Sequence, residues 1–162
     1  HLAASVGVGQ STTDFARYIQ NNVGETAALW EKILANGQPK RVVVASSMSI
    51  YGEGEYEGVT GRVQRTPERG FDAFTVEGHP IVRDLKVSPT RESKRPEPAS
   101  VYAQTKLDQE VYSLLLGDAY KIPTMALRLF GVYGEGQALS NPYTGVIAIF
   151  AASTIMNEPC VI

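Results

Sequence analysis

The chain has 162 residues, 43% of them hydrophobic and 20% charged, which suits one globular domain with a core of its own. A formal net charge of -2 without any basic run argues against a nucleic-acid partner. No apolar run approaches the roughly 20 residues of a membrane span, so no membrane partner is expected. The single Cys160 excludes an internal disulfide and a cysteine-built metal site. The opening His1-Leu2-Ala3-Ala4 has neither a starting Met nor a basic leader, so the expected compartment is the cytoplasm and the expected start of the gene lies upstream.

His1 to Ala4 reads as the tail of a buried strand. Ser11-Thr12-Thr13-Asp14 is a cap cluster for a helix over about 11–35, whose apolar positions Phe15, Tyr18, Ile19, Val23, Ala27, Trp30 and Ile33 recur at helical spacing. Asn36-Gly37 ends it. Val42-Val43-Val44-Ala45 is a short β-branched run, the pattern of a parallel strand buried on both faces, with Ser46-Ser47 at its carboxyl end. From 53 to 99 the periodicity dissolves into a stretch rich in Gly, Pro, Arg and Glu. Within it Phe71, Phe74, Val76, Ile81 and Val82 suggest a small hairpin or subdomain. Order returns with a helix from Val101 to about Tyr120, a second buried strand over 124–130, a loop marked by Gly131, Gly134, Gly136 and Pro142, and a helix over 146–156. Pro159-Cys160-Val161-Ile162 is the start of another strand. This alternation predicts an α/β doubly wound parallel sheet.

Tyr102-Ala103-Gln104-Thr105-Lys106 carries the chemistry. Tyr and Lys at i and i+4 share a helix face, where the ammonium can lower the phenol's pKa from its ordinary value near 10. A hydroxyl from the strand end at Ser46-Ser47 can hold a substrate oxygen against that phenol.

Read with Asn21-Asn22-Val23, Ser46 to Gly52, Ser100 to Lys106 and Leu127 to Gly134, these blocks resemble, in order, the extended short-chain dehydrogenase/reductases, the family of NAD-dependent nucleotide-sugar epimerases and dehydratases. The resemblance implies the second half of a Rossmann-like sheet over 1–135, with strands 4 to 6 of the order 3-2-1-4-5-6, and the start of a substrate lobe over 136–162. It implies that Tyr102 is the acid/base on a sugar hydroxyl, that Lys106 lowers its pKa and holds the nicotinamide ribose, and that Ser47 holds the sugar oxygen. Leu2, Ala3, Ala4, Asn21, Ser46 and Phe130 would contact NAD together with Tyr102 and Lys106. Asn141 and Tyr143 would join Ser47 and Tyr102 in binding a nucleotide-diphosphate sugar. The helices over 11–35 and 101–120 would form a homodimer.

Met48 and Ser49 stand where the family's dehydratases carry an Asp-Glu pair, so the implied reaction is reversible oxidation at C4 and epimerisation, with dehydratase or reductase chemistry as the alternative. The 53–99 insertion resembles that of dTDP-L-rhamnose 4-epimerase-like members, without their cysteine pairs, and His79 alone predicts no metal site. The family's opening strand and Gly-x-x-Gly-x-x-Gly turn have no counterpart in these residues, and Gly7-Val8-Gly9 does not supply one. The expectation is therefore a fragment of a longer enzyme, or else an inactive dimerising remnant.

Overall fold

The computed structural model describes residues 1–58, 61–63, 86–137 and 146–159. In chain order these form a 3-10 turn (Gln10–Thr12), α1 (Phe15–Tyr18), a π turn (Ile19–Gly24), α2 (Glu25–Ala35) and β1 (Val42–Ser47). A 3-10 turn (Met48–Tyr51) follows, then β2 (Glu55–Gly58), β3 (Gly61–Val63), β4 (Lys86–Ser88), α3 (Val101–Ala119), β5 (Thr124–Leu129) and α4 (Val146–Met156). None of these helices is long and apolar enough to cross a membrane.

β1 and β5 pair in parallel, from Val42 opposite Thr124 to Ser47 opposite Leu129. On the other edge of β1, His1 N donates to Val43 O at 2.7 Å and Ala45 N to His1 O at 3.0 Å, the spacing of a parallel neighbour. The opening residues thus do run as a strand end beside β1, in the order expected for successive strands of a doubly wound sheet. They are not buried, however: Leu2 is 83% exposed, and nothing among the described residues covers it. The same correction applies to both central strands. Val44 and Ser46 are buried toward α3, whereas Val43, Met125 (59% exposed), Leu127 and Leu129 face outward from the opposite side. β-branched composition reported a strand correctly, but only one face has a described layer packed on it.

α3 starts at a well-made cap: Ser100 Oγ accepts from Ala103 N at 3.0 Å. The helix expected over 11–35 begins late, at Phe15, because its hydroxyls do not cap. Ser11, Thr12 and Thr13 instead donate back to the carbonyls of Val8, Gly9 and Gln10 at 2.6, 2.7 and 3.1 Å. Ser11 Oγ also accepts Tyr102 N at 3.0 Å, so this buried hydroxyl caps α3 across the fold.

α2 and the π turn lie parallel to α3, joined by three polar rungs. Asn22 Nδ2 donates to Thr105 Oγ1 at 3.0 Å, Gln109 Nε2 to Thr26 Oγ1 at 2.8 Å and Trp30 Nε1 to Ser113 Oγ at 3.1 Å. Each rung joins residues 83 apart, and successive rungs are one helical turn apart on both helices.

Part of the 53–99 insertion lies among the described residues. β2 is the centre of a three-stranded antiparallel sheet, with Tyr56 opposite both Val63 and Val87. Strands of three or four residues are too short to register as alternation in sequence. The suggested hairpin residues Phe71, Phe74, Val76, Ile81 and Val82, and His79, lie outside the described residues, as do Pro142 and 160–162. The segment after β4 folds back over the Met48–Tyr51 turn. Glu97 N donates to Ile50 O at 2.8 Å, and the buried Lys94 Nζ donates to Tyr51 O at 2.7 Å. Gly52 is required there, since its φ is +64° and a Cβ would sit 2.3 Å from Glu97 O.

Gly117 lets α3 pass close to the start of β5, where a Cβ would lie 2.2 Å from Thr124 Oγ1, 2.6 Å from Thr124 Cβ and 2.9 Å from Ile122 O. Gly117→Ala is expected to lower stability by about 1–3 kcal/mol through overpacking, despite the better helix propensity of Ala. Chemical denaturation of the two chains checks this.

Candidate active site

Tyr102 and Lys106 occupy the first two turns of α3, which packs on β1. The Tyr102 ring stands edge-on to buried Tyr18, with centroids 6.3 Å apart, and its backbone is fixed by Ser11 and by Thr105 Oγ1, which donates to Tyr102 O at 2.9 Å. The phenolic hydroxyl itself makes no hydrogen bond among the described residues. The ring is therefore held while its reactive oxygen stays available.

Lys106 is 3% exposed, and its ammonium donates to Gln109 Oε1, its one hydrogen bond among the described residues. Burial lowers its pKa from the ordinary 10.5 to about 8, because the charged form is poorly solvated there. Gln109, 1% exposed, joins Lys106 to Thr26 and to His1 Nε2, the latter at 2.8 Å.

Ser46 and Ser47 end β1 at the carboxyl edge of the parallel strands, as the sequence predicted. Ser46 Oγ is buried and has no hydrogen-bond partner, an arrangement that invites a ligand atom. Ser47 is the N-cap of the 3-10 turn. Its Oγ accepts Ser49 N and approaches Ser49 Oγ, both at 3.2 Å, which fixes its direction while leaving its long, weak contacts replaceable.

Leu2, Ala3 and Ala4 run alongside, and Phe130 follows β5 with its ring 6.4 Å from that of Tyr51. Asn21 lies on the exposed side of the π turn and donates to Ser5 Oγ at 2.9 Å. Its neighbour Asn22 is the buried one. It accepts Ser5 N at 2.7 Å and donates to Ser5 O at 3.0 Å as well as to Thr105, tying the strand end to α3. Asn141 and Tyr143 lie outside the described residues.

Sequence reasoning missed Asn22, Ser11 and the bridging role of Gln109, all of which are polar residues on helix or turn segments that look solvent-facing when read singly. It also missed Arg128. This guanidinium pairs with Glu110 through Nη2 at 2.8 Å, donates to Tyr51 Oη at 2.8 Å and to Glu92 O at 3.1 Å. It thereby ties β5, α3 and the serine-bearing turn together. A basic residue inside an apolar strand one helix-length from a glutamate was the available signal.

A curated dTDP-L-rhamnose 4-epimerase of Burkholderia thailandensis is 35% identical over 152 residues, which cover 93% of this chain and 42% of that protein. The chain thus spans less than half the length of that relative. Among solved structures, the UDP-glucose 4-epimerase of Thermotoga maritima with UDP-glucose superposes with a TM-score of 0.70 at 27% identity, over 98% of this chain and 41% of that one. A Thermus thermophilus UDP-glucose 4-epimerase complex with NAD gives a TM-score of 0.67 at 27% identity, over 97% of this chain and 40% of its own. The NAD dependent epimerase/dehydratase family matches over residues 1–162, and the chain belongs to that family.

Proposed function

We propose that this chain carries the catalytic Ser/Tyr/Lys set of an NAD-dependent nucleotide-sugar 4-epimerase. In this reading 1–135 is the latter part of the cofactor domain and 136–162 the start of a substrate lobe. The observation that carries it is the free phenolic hydroxyl of Tyr102 one turn ahead of the buried Lys106 ammonium. The residues present suit the nicotinamide end of the cofactor. Ser46 offers an unpartnered buried hydroxyl and Lys106 an ammonium with a single acceptor, and Leu2, Ala3, Ala4, Asn21 and Phe130 are the further contacts this reading proposes. NAD, when bound, supplies reversible oxidation and reduction at the sugar carbon.

The chain's own residues handle the proton. Ser47 Oγ exchanges its 3.2 Å contact with Ser49 for the sugar oxygen and orients it. Tyr102 accepts the hydroxyl proton as the carbon is oxidised and returns it when the carbon is reduced from the other face. Lys106 favours the phenolate by its charge and holds ribose hydroxyls. Met48 and Ser49 bring no second carboxylate or thiol, which favours epimerisation over elimination of water. The substrate class is a nucleotide-diphosphate sugar, the class named for its relatives, and Asn141 and Tyr143 are the proposed contacts from the lobe. A cytoplasmic location goes with such a substrate.

Tyr102→Phe in the complete enzyme is expected to lower turnover roughly 10²–10⁴-fold, the usual worth of a positioned acid/base, while NADH titration remains saturable. Proton NMR of the sugar should show the C4 epimer without a dehydrated product. Undiminished turnover in the variant would remove Tyr102 from the mechanism, and a 4-keto-6-deoxy product would move the enzyme to the dehydratases.

A homodimer through the outer faces of α1, the π turn, α2 and α3 goes with this reading, because Phe15, Ile19, Val111, Tyr112 and Leu115 are exposed there. Sedimentation velocity is expected to give a dimer for the chain and a monomer for Leu115→Glu. The same species for both would count against this face.

A further inference from the structure

An ammonium carries only donors, so the end of the Gln109 amide that meets Lys106 Nζ has to be its oxygen. The NH2 group then points the other way, where it donates to Thr26 Oγ1 at 2.8 Å and faces His1 Nε2 at 2.8 Å. Thr26 directs its own proton to Asn22 O at 2.6 Å, which leaves its lone pairs for Gln109 and for His1 Nε2, 3.0 Å away. His1 Nε2 stands between an amide donor and a hydroxyl acceptor, so its contacts set no single tautomer. From Lys106 to Asn22 every hydrogen bond has one direction, and all of them descend from the charge on Lys106.

We propose that Gln109 is a positioning residue whose amide, fixed at one end by Thr26, holds the Lys106 ammonium on the Tyr102 face of α3. Tyr102, Lys106 and Gln109 recur at i, i+4 and i+7, so the three stand in line on one side of the helix. Turning the amide over would place its NH2 group against the ammonium. That arrangement sets two donors face to face in a buried site, which is the expensive kind of mismatch.

Lys106 is the charged group that faces the network from α3. Arg41, ahead of β1, lines the same cleft as His1. Thr26 and Trp30, which α2 contributes to this side, bring no charge. The significance for catalysis rests on the role proposed for Lys106; the hydrogen-bond direction does not.

The test is side-chain NMR of the ligand-free chain, following Lys106 through a pH titration. Lys106 in the unaltered chain is expected to titrate near 8. Gln109→Met keeps the reach of the side chain but removes the acceptor, so the Lys106 midpoint should fall. Gln109→Glu offers a carboxylate, so the midpoint should rise. A side chain that merely fills space predicts one midpoint for all three chains. An unmoved midpoint in both variants would overturn the proposal. Gln109→Glu is nearly isosteric and decides the matter alone if the Met variant does not fold. With no cofactor or sugar in the sample, failure here leaves the turnover test of Tyr102 untouched, and failure there leaves this one.

Discussion

The three polar rungs between the π turn with α2 and α3 are the constraint on which the rest of the site depends. Apolar packing alone holds two helices together without fixing their slide, because it is not directional. Here the pairs Asn22–Thr105, Thr26–Gln109 and Trp30–Ser113 are buried and hydrogen-bonded, so a slip by one turn would mismatch all three. Each unsatisfied group left behind would cost about 1–3 kcal/mol. The rungs therefore fix the height of α3 against the first helical segment, and with it the height of Tyr102 and Lys106 above the strand ends.

A second set of contacts brings the serine-bearing turn to that helix. Arg128 reaches Glu110 on α3 and Tyr51 on the turn at once, each at 2.8 Å, while Lys94 and Glu97 clasp the turn from outside. Gly52 permits the close passage of the 91–99 segment, whose backbone would collide with any side chain there. The π turn contributes in the same way on the opposite side: of two consecutive asparagines, one stays on the surface against Ser5 Oγ and the other enters the core to bind Ser5 backbone atoms. Irregular helical turns of this kind often mark functional positions. None of these devices touches a sugar, yet each sets where a group that would touch one must stand.

Much of this was legible in the chain. Helical spacing located α3 to within a residue and α4 over its whole length, a β-branched run located β1, and a short apolar run located β5. Tyr102, Lys106 and Ser47 could be picked out because a phenol and an ammonium one turn apart, with a hydroxyl at a strand end, form a pattern that is local in sequence. The layer packed on each strand was not legible, and Val43, Met125 and Leu127 face outward where burial on both sides was expected. The late start of the first helix was missed for a related reason: serine and threonine side chains serve equally as caps and as donors to the preceding turn, and sequence does not distinguish the two.

By itself the sequence determined the alternation of strands and helices, the placement of Tyr102 and Lys106 on one helical face, and the family. Those depend on spacings within one segment. Tertiary structure alone decided that Gln109 meets the Lys106 ammonium, that Asn22 rather than Asn21 enters the core, and that Ser46 keeps an unpartnered hydroxyl. The partners in these contacts come from segments up to 108 residues apart, and hydrogen-bond direction and burial exist only once those segments have met.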